Sequence, residues 1–362
     1  MSNARKLADN LPTEGQLGNR NVIINGEFAI SQRGSSFTNI GSAGTYDDTY
    51  TIDRFLISQG VSAGRCTVTQ ESDTPTGFSN SLKIATTTAD TSVAAGEYHR
   101  LQTKFEGQNL QRFAKGTTGA KEFTLSFYCK ANAAATYVVE LVDNDNSRSV
   151  SKTFSVTTDW TRVIITFPAD TTGAFTNDAN LSMEVNWWMH AGSTYSSGTL
   201  QTTWGAIVAA NRAAGINSIF DSTSRTFFIT GCQLEVGSQA SPFEHEQHSV
   251  TLAKCQRYTF VHQTDSDYDW AALSGYCNTT TNALSFYQFP VRMRASPTLT
   301  TSGSFQILDG FTSYTVSSSS LSQSSPLSAR VDIASSGLTV GRHIAVRNLG
   351  DSGAKLIFSA EL

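Results

Sequence analysis

A chain of 362 residues is long enough for two or three domains at ~150 residues each. Apolar residues make up 39% and aromatics 10%, which excludes a disordered polar chain, and only 15% are charged. A net charge of −4 without a basic block excludes a phosphate-reading nucleic-acid surface, and no run of ~18 apolar residues is present to insert into a membrane. What remains is a β-rich protein with a surface of Thr, Ser and Asn.

The first residues hold no apolar h-region, so no secretory signal peptide is expected. Ala4, Leu7, Ala8 and Leu11 follow i, i+3, i+4, i+7 spacing, which predicts an amphipathic helix over 2–11, capped by Ser2 or Asn3 and stopped by Pro12. Ten residues of helix are marginal alone in water, so this one needs a surface to dock on. Residues 13–21 read as a linker.

From Val22 to Val236 the period falls to two. Strands are predicted at Phe123–Cys129, Tyr137–Val142, Val150–Val156, Trp160–Phe167, Leu181–Trp188 and Thr226–Val236, with Asn, Asp and Gly turns between them. Asn25-Gly26 signals a turn, with Phe28 and Ile30 pointing inward after it. Trp160 is expected in the core. An Ala-rich stretch, Trp204–Ala214, predicts a short inserted helix, and Ser249–Tyr258 predicts another. Beyond it come strands at Ala271–Cys277, Ala283–Phe289, Ala329–Ile333, His343–Arg347 and Lys355–Ala360, with Ser317–Ser325 read as a long loop. The pattern is all-β: an antiparallel jelly-roll β-sandwich at 21–247 followed by a smaller β-sandwich domain at 248–362.

Catalytic and metal motifs fail on spacing. Gly60-Val-Ser-Ala-Gly64 matches GxSxG, but a strand follows where a nucleophile elbow needs a helix, which places Ser62 in a hairpin turn. His245 and His248 stand three apart without a third ligand, unlike a zincin helix. Asp143-Asn-Asp-Asn-Ser147 starts like a calcium loop, yet Arg148 and Phe154 occupy the places of its Gly and Glu. Five cysteines (Cys66, Cys129, Cys232, Cys255, Cys277) form no CxxC pair and read as free thiols. No catalytic residue, no metal ligand and no cofactor is assigned, although a structural calcium ion near Asn25 or Glu27 is compatible with the sequence.

A series of segments carries a resemblance. Asn21-Val-Ile-Ile-Asn-Gly-Glu-Phe-Ala-Ile-Ser-Gln-Arg-Gly and Tyr50-Thr-Ile-Asp-Arg-Phe come first. Phe105-Glu-Gly-Gln-Asn-Leu, Gly119-Ala-Lys-Glu-Phe-Thr-Leu-Ser-Phe and Asp159-Trp-Thr-Arg follow. Gln233-Leu-Glu-Val-Gly-Ser-Gln-Ala-Ser-Pro-Phe-Glu, Leu252-Ala-Lys-Cys-Gln-Arg-Tyr and Phe289-Pro-Val-Arg-Met-Arg-Ala-Ser-Pro-Thr complete the series. In this order they resemble bacteriophage tail-fibre and related virion proteins with a carbohydrate-binding-module-like jelly roll. The resemblance implies a non-enzymatic structural protein of the virion, assembled in the host cytoplasm. It would be a homotrimeric tail fibre or receptor-binding subunit that adheres to host surface polysaccharide. Residues 1–20, through Ala4, Leu7, Ala8 and Leu11, would dock it onto other virion proteins. A capsid-decorating or head-fibre protein is the alternative, and a polysaccharide depolymerase the second.

Sugar recognition joins a flat aromatic face to fixed polar groups. Trp187 and Trp188 are adjacent in one strand and must point to opposite faces; alternation sends Trp187 inward and leaves Trp188 outward. Tyr268 and Trp270 lie among Asp265, Asp267 and Asp269. These six residues (Trp188, Tyr268, Trp270 and the three acids) are the candidate glycan contacts.

Overall fold

The structure, a computed structural model, describes residues 18–41, 45–310 and 312–362. The helix expected at 2–11, with Ala4, Leu7, Ala8 and Leu11, lies outside the described residues. The chain divides into two compact units, one ending at His248 and one spanning Ser249–Glu361. Both are built from antiparallel strands, and the described helices are short.

The first unit holds β1 (Ser36–Ile40), β2 (Tyr46–Tyr50), β3 (Phe55–Gly60), β4 (Arg65–Glu71), β5 (Ser81–Thr88), β6 (Tyr98–Glu106), β7 (Phe123–Ala131), β8 (Ala135–Asp143), β9 (Arg148–Val156), β10 (Thr161–Phe167), β11 (Leu181–Ala191), β12 (Gly205–Ala206) and β13 (Thr226–Val236). They form a six-stranded sheet, β1-β4-β5-β13-β7-β10, and a seven-stranded sheet, β12-β9-β8-β11-β6-β3-β2. The chain passes repeatedly from one sheet to the other, as in a jelly-roll sandwich. Period-2 alternation supplies the core: Met183, Val185 and Trp187 of β11 face the same cluster as Leu125 and Phe127 of β7. The rings of Phe127 and Trp187 link the two sheets at 5.9 Å between centroids, and Phe55, 6.3 Å from Trp187 on the same sheet, receives Phe28 at 4.5 Å.

The ends of the sandwich are joined by side chains. Asn21 Nδ2 donates to Cys232 O (3.0 Å), and Asn21 Oδ1 accepts from Leu234 N (3.0 Å). The Glu244 carboxylate accepts from Arg20 N (2.6 Å) and Asn21 N (3.0 Å). Gly26 lies so close to Cys232 that a Cβ there would stand 2.0 Å from the Cys232 carbonyl oxygen. Asn25 adopts φ +62° and its amide donates to Ile30 O and Asp53 O. Residues 22–34 therefore form a pinned irregular segment rather than the strand their apolar run suggests.

Several local expectations change. Ser62 does not sit in a hairpin: residues 61–64 carry the chain from β3 to β4, which belong to different sheets. Trp160 is half-buried outside the core; its indole N–H donates to Asp73 (3.2 Å) and Lys130 lies over its ring. Trp204–Ala214 forms β12 and a single 3-10 turn, Ala209–Asn211, instead of an α-helix: Gly205 and Ala206 pair with β9, and the backbone of Ala210, Asn211 and Ala213 bonds to Gly198, Gln201 and Tyr195.

A buried ion cluster occupies the β8–β9 end. Lys115 Nζ, fully buried, reaches Asp143 Oδ2 (2.5 Å), Asp170 Oδ2 (3.1 Å), Thr172 O (3.0 Å) and Gly173 O (2.8 Å). The Asp143–Ser147 loop thus spends its first carboxylate on an ammonium and on Asn146.

The second unit opens with the helix His248–Gln256. Its strands are β14 (Thr259–Gln263), β15 (Trp270–Ala272), β16 (Gly275–Cys277), β17 (Asn282–Gln288), β18 (Thr298–Ser302), β19 (Phe305–Leu308), β20 (Ser313–Thr315), β21 (Ser318–Ser324), β22 (Ser328–Ala334), β23 (Ala345–Asn348) and β24 (Lys355–Ser359). Three short sheets, β14-β24-β18, β15-β23-β19-β20 and β16-β17-β22-β21, enclose one core around Phe358, Phe289, Ile307 and Val331. The Ser-rich tract is strand β21 rather than a loop. Backbone pairing to β22 and the partial burial of Leu321 outweigh the weak strand preference of serine.

All five cysteines are buried free thiols, and burial pushes Cys66 and Cys129 up to about 12, so neither is a nucleophile at neutral pH.

The ion cluster sets a stability prediction. Lys115→Ala leaves two buried carboxylates facing each other and should cost about 3–5 kcal/mol in urea unfolding. Burial alone would raise the Asp170 carboxyl, but hydrogen bonds from Arg148, Thr172 N and Lys115 outweigh it and hold the group below its ordinary value. That contribution is present at neutral pH and is lost as pH falls through the lowered value. The urea midpoint should therefore decline in acid, and less steeply in Asp170→Asn.

Candidate functional site

The outward face of the seven-stranded sheet carries Glu140 on β8, Glu184, Asn186 and Trp188 on β11, and Arg100 and Gln102 on β6. Trp188 does point away from the sandwich core, but it is not an exposed platform. It is 1% exposed, packed with Val138 and Ala213 beneath the segment joining β11 to β13. Its indole N–H donates to Glu140 Oε2 (2.8 Å). Arg212, from the covering segment, lies over its ring at 5.0 Å and grips Glu140 in a two-pronged bond (2.8 and 2.9 Å), while Arg100 stacks at 5.2 Å. Asn186 and Gln102 bridge Glu140 to Glu184. These two carboxylates share a face, yet both are buried and their oxygens are engaged. The arrangement clamps the covering segment to the sheet.

The other candidates lie in the second unit, and there the rings are available. Tyr268 is 52% and Trp270 41% exposed. Arg347, paired with Trp270 across β15 and β23, lies 4.9 Å from the Tyr268 ring centre and 5.9 Å from that of Trp270. The loop between β14 and β15 is braced by Asn348, fully buried. The Asn348 side chain accepts from Tyr268 N and donates to Ser266 O (2.6 Å), and its N–H donates to Asp269 O (3.0 Å). Tyr268 takes φ +63°, a conformation this bracing has to hold.

The three acids separate in role. Asp269 turns inward on its own loop and accepts from Asp265 N (3.0 Å) and Trp270 N (2.7 Å), bonds that hold its carboxyl below the ordinary range. Asp265 and Asp267 face solvent. The three carboxylates do not converge on one point among the described residues. Near the N-terminal turn, Asn25 is spent on backbone bonds and Glu27 pairs with His245 (2.9 Å), whose ring packs on Phe78 and Phe243.

Two features escaped the sequence reading. Arg347 and Asn348 have no sequence signal, since they reach the loop only through strand pairing from nearly 80 residues away. On the sheet β16-β17-β22-β21, Tyr276 and Phe286 are 40% and 49% exposed and lie nearly parallel, 6.4 Å apart. Arg330, Asp332 and Ser322 form a bonded row on the neighbouring strands. Alternation in Asn282–Gln288 could have shown Phe286 facing outward. A separate groove of about 500 Å³ is lined by Val250, Lys254, Arg257 and Arg292, without aromatic walls. No helix among the described residues is long and apolar enough to cross a membrane.

No protein-family model matches the chain, and no curated protein matches it. Among solved structures it is similar to a CBM4 module at 14% identity, with a TM-score of 0.30 over 59% of this chain and 97% of that one. A family 11 carbohydrate-binding module from Clostridium thermocellum, solved with a mixed-linked tetrasaccharide, is 10% identical with a TM-score of 0.29, covering 56% and 100%. The enzymatically active domain of tailspike protein 4 of bacteriophage CBA120 is 15% identical with a TM-score of 0.29 over 55% of this chain and 21% of that one. The first unit is an all-β jelly-roll sandwich on its own strand order.

The two tryptophans separate burial from exposure. Trp188→Ala should cost about 3–5 kcal/mol in urea unfolding. Trp270→Ala, at a solvent-facing position, should stay within ~0.5 kcal/mol of the parent.

Proposed function

We propose that this chain is a non-enzymatic adhesive subunit of a bacteriophage particle, a tail-fibre or receptor-binding protein that holds host surface polysaccharide weakly and in several copies. One observation carries the binding half: Tyr268 and Trp270 are exposed, share Arg347, and stand on a loop braced by a buried asparagine. A pyranose offers apolar C–H faces to such rings and hydroxyls to the guanidinium and to Asp265 and Asp267. Rings held in place beforehand lose little freedom on binding. The virion half rests on the ordered motifs of residues 21 to about 300 and on the predicted leader helix.

A single ring pair gives modest affinity. A trimer, which would also cover exposed strand edges, would multiply it through effective concentration. Attachment at the head rather than the tail uses the same fold and is separated by imaging the particle. A depolymerase on the outward face of the seven-stranded sheet would need free carboxylates there, whereas Glu140 and Glu184 are covered and bonded.

The test is a glycan array probed with the full chain. Binding to bacterial surface polysaccharide should fall at least tenfold in Trp270→Ala and Tyr268→Ala and persist in Trp160→Ala. Unchanged binding in both loop variants removes the site. Release of reducing ends from a bound polysaccharide establishes the depolymerase instead, and sedimentation equilibrium reads the number of copies.

A further inference from the structure

A second set of functional groups lies buried in the first unit. Asp90 follows β5, Glu97 precedes β6, and His190 stands at the end of β11. All three are buried, and one ligand atom from each lies within 4.8 Å of the other two. His190 Nε2 is 3.3 Å from Glu97 Oε2, close to the ~3.4 Å edge of a tetrahedron with ~2.1 Å metal bonds.

The surrounding groups are neutral donors and one bare base. Asp90 accepts from Ser62 Oγ (2.8 Å), Ala63 N (2.8 Å) and Ser92 N (3.3 Å). His190 Nδ1 meets Ser218 Oγ at 2.7 Å, a hydroxyl that also accepts from Phe220 N. Among the described residues, no lysine or arginine forms an ion pair with either carboxylate. His99, the cross-strand partner of His190, packs on the same Phe220 ring. Gln59 Nε2 donates to Gly64 O (2.7 Å), which turns Gln59 Oε1 toward His99 Nδ1 (2.9 Å) and makes that nitrogen the N–H. The His99 ring is fully buried. Its Nε2 then carries a lone pair, fully buried and with no partner. A bare base in a dry interior is costly unless a cation or a water meets it.

We propose that Asp90, Glu97 and His190 form a structural site for a divalent cation of the zinc class, close to the unpartnered imidazole of His99. Two carboxylates and imidazole nitrogen suit zinc, whereas calcium requires six to eight oxygens. On binding, the proton of His190 moves from Nε2 to Nδ1 and faces Ser218 Oγ, the outer partner that fixes the ring. The ion would tie the β5–β6 connection to the end of β11, and burial gives it no route to substrate.

The experiment is independent of glycan binding. The full chain is stripped with a chelator and titrated with Zn²⁺ or Ca²⁺, reading metal per chain and the thermal midpoint. One tightly held zinc and a raised midpoint are expected, with no such response to calcium. Glu97→Gln and Asp90→Asn, which keep shape and most hydrogen bonds, should lose that zinc, and Ser218→Ala should weaken it by ~10–100-fold. A folded, stripped chain that takes up no stoichiometric zinc overturns the proposal. So does a zinc that Glu97→Gln and Asp90→Asn both retain. Should Asp90→Asn fail to fold, Glu97→Gln and Ser218→Ala decide it.

Discussion

The hold of Arg212 on Glu140 governs what the first unit can do. Glu140 stands at the middle of the outward face of a seven-stranded sheet, where an open jelly roll would offer a polar, aromatic-lined surface. A carboxylate buried there needs a cationic partner, and the partner comes from the segment between β11 and β13. Once the guanidinium is seated, Trp188 is enclosed by it and by Arg100, and the indole N–H closes onto the same carboxylate. The surface is consumed in holding the chain's own crossover. In the second unit, by contrast, Tyr268, Trp270, Tyr276 and Phe286 keep their rings exposed.

Strands were legible where one face is apolar and the other is not. Phe123–Ala131, Arg148–Val156 and Thr226–Val236 match their alternation nearly residue for residue, since each contributes one side to a shared core. The same alternation separated Trp187 from Trp188 correctly. What it could not tell was the fate of the outward residue, because cover arrives from a segment without periodicity. Trp160 failed for a related reason: an aromatic at the start of a strand reads as core, but Asp73 and Lys130 offered it a half-exposed seat.

The candidate binding loop was legible as composition and not as geometry. Six residues, Asp265–Trp270, announce acids and rings; only pairing between β15 and β23 brings Arg347 and Asn348 to them. The acids then divide their work, with Asp269 building the loop and Asp265 and Asp267 left to solvent. The cluster of Asp90, Glu97 and His190 had no local signature at all. Asp90 and Glu97 share the β5–β6 connection, and only the closed sandwich brings His190 of β11 to them.

Lys115 places its ammonium among two aspartates and two carbonyl oxygens, a setting in which many loops recruit a metal from the medium. Here the positive charge is covalently part of the polypeptide. That corner is complete as soon as the backbone closes, with no mineral to be captured and none to be leached away. Such self-sufficiency leaves that corner indifferent to chelators and to dilution.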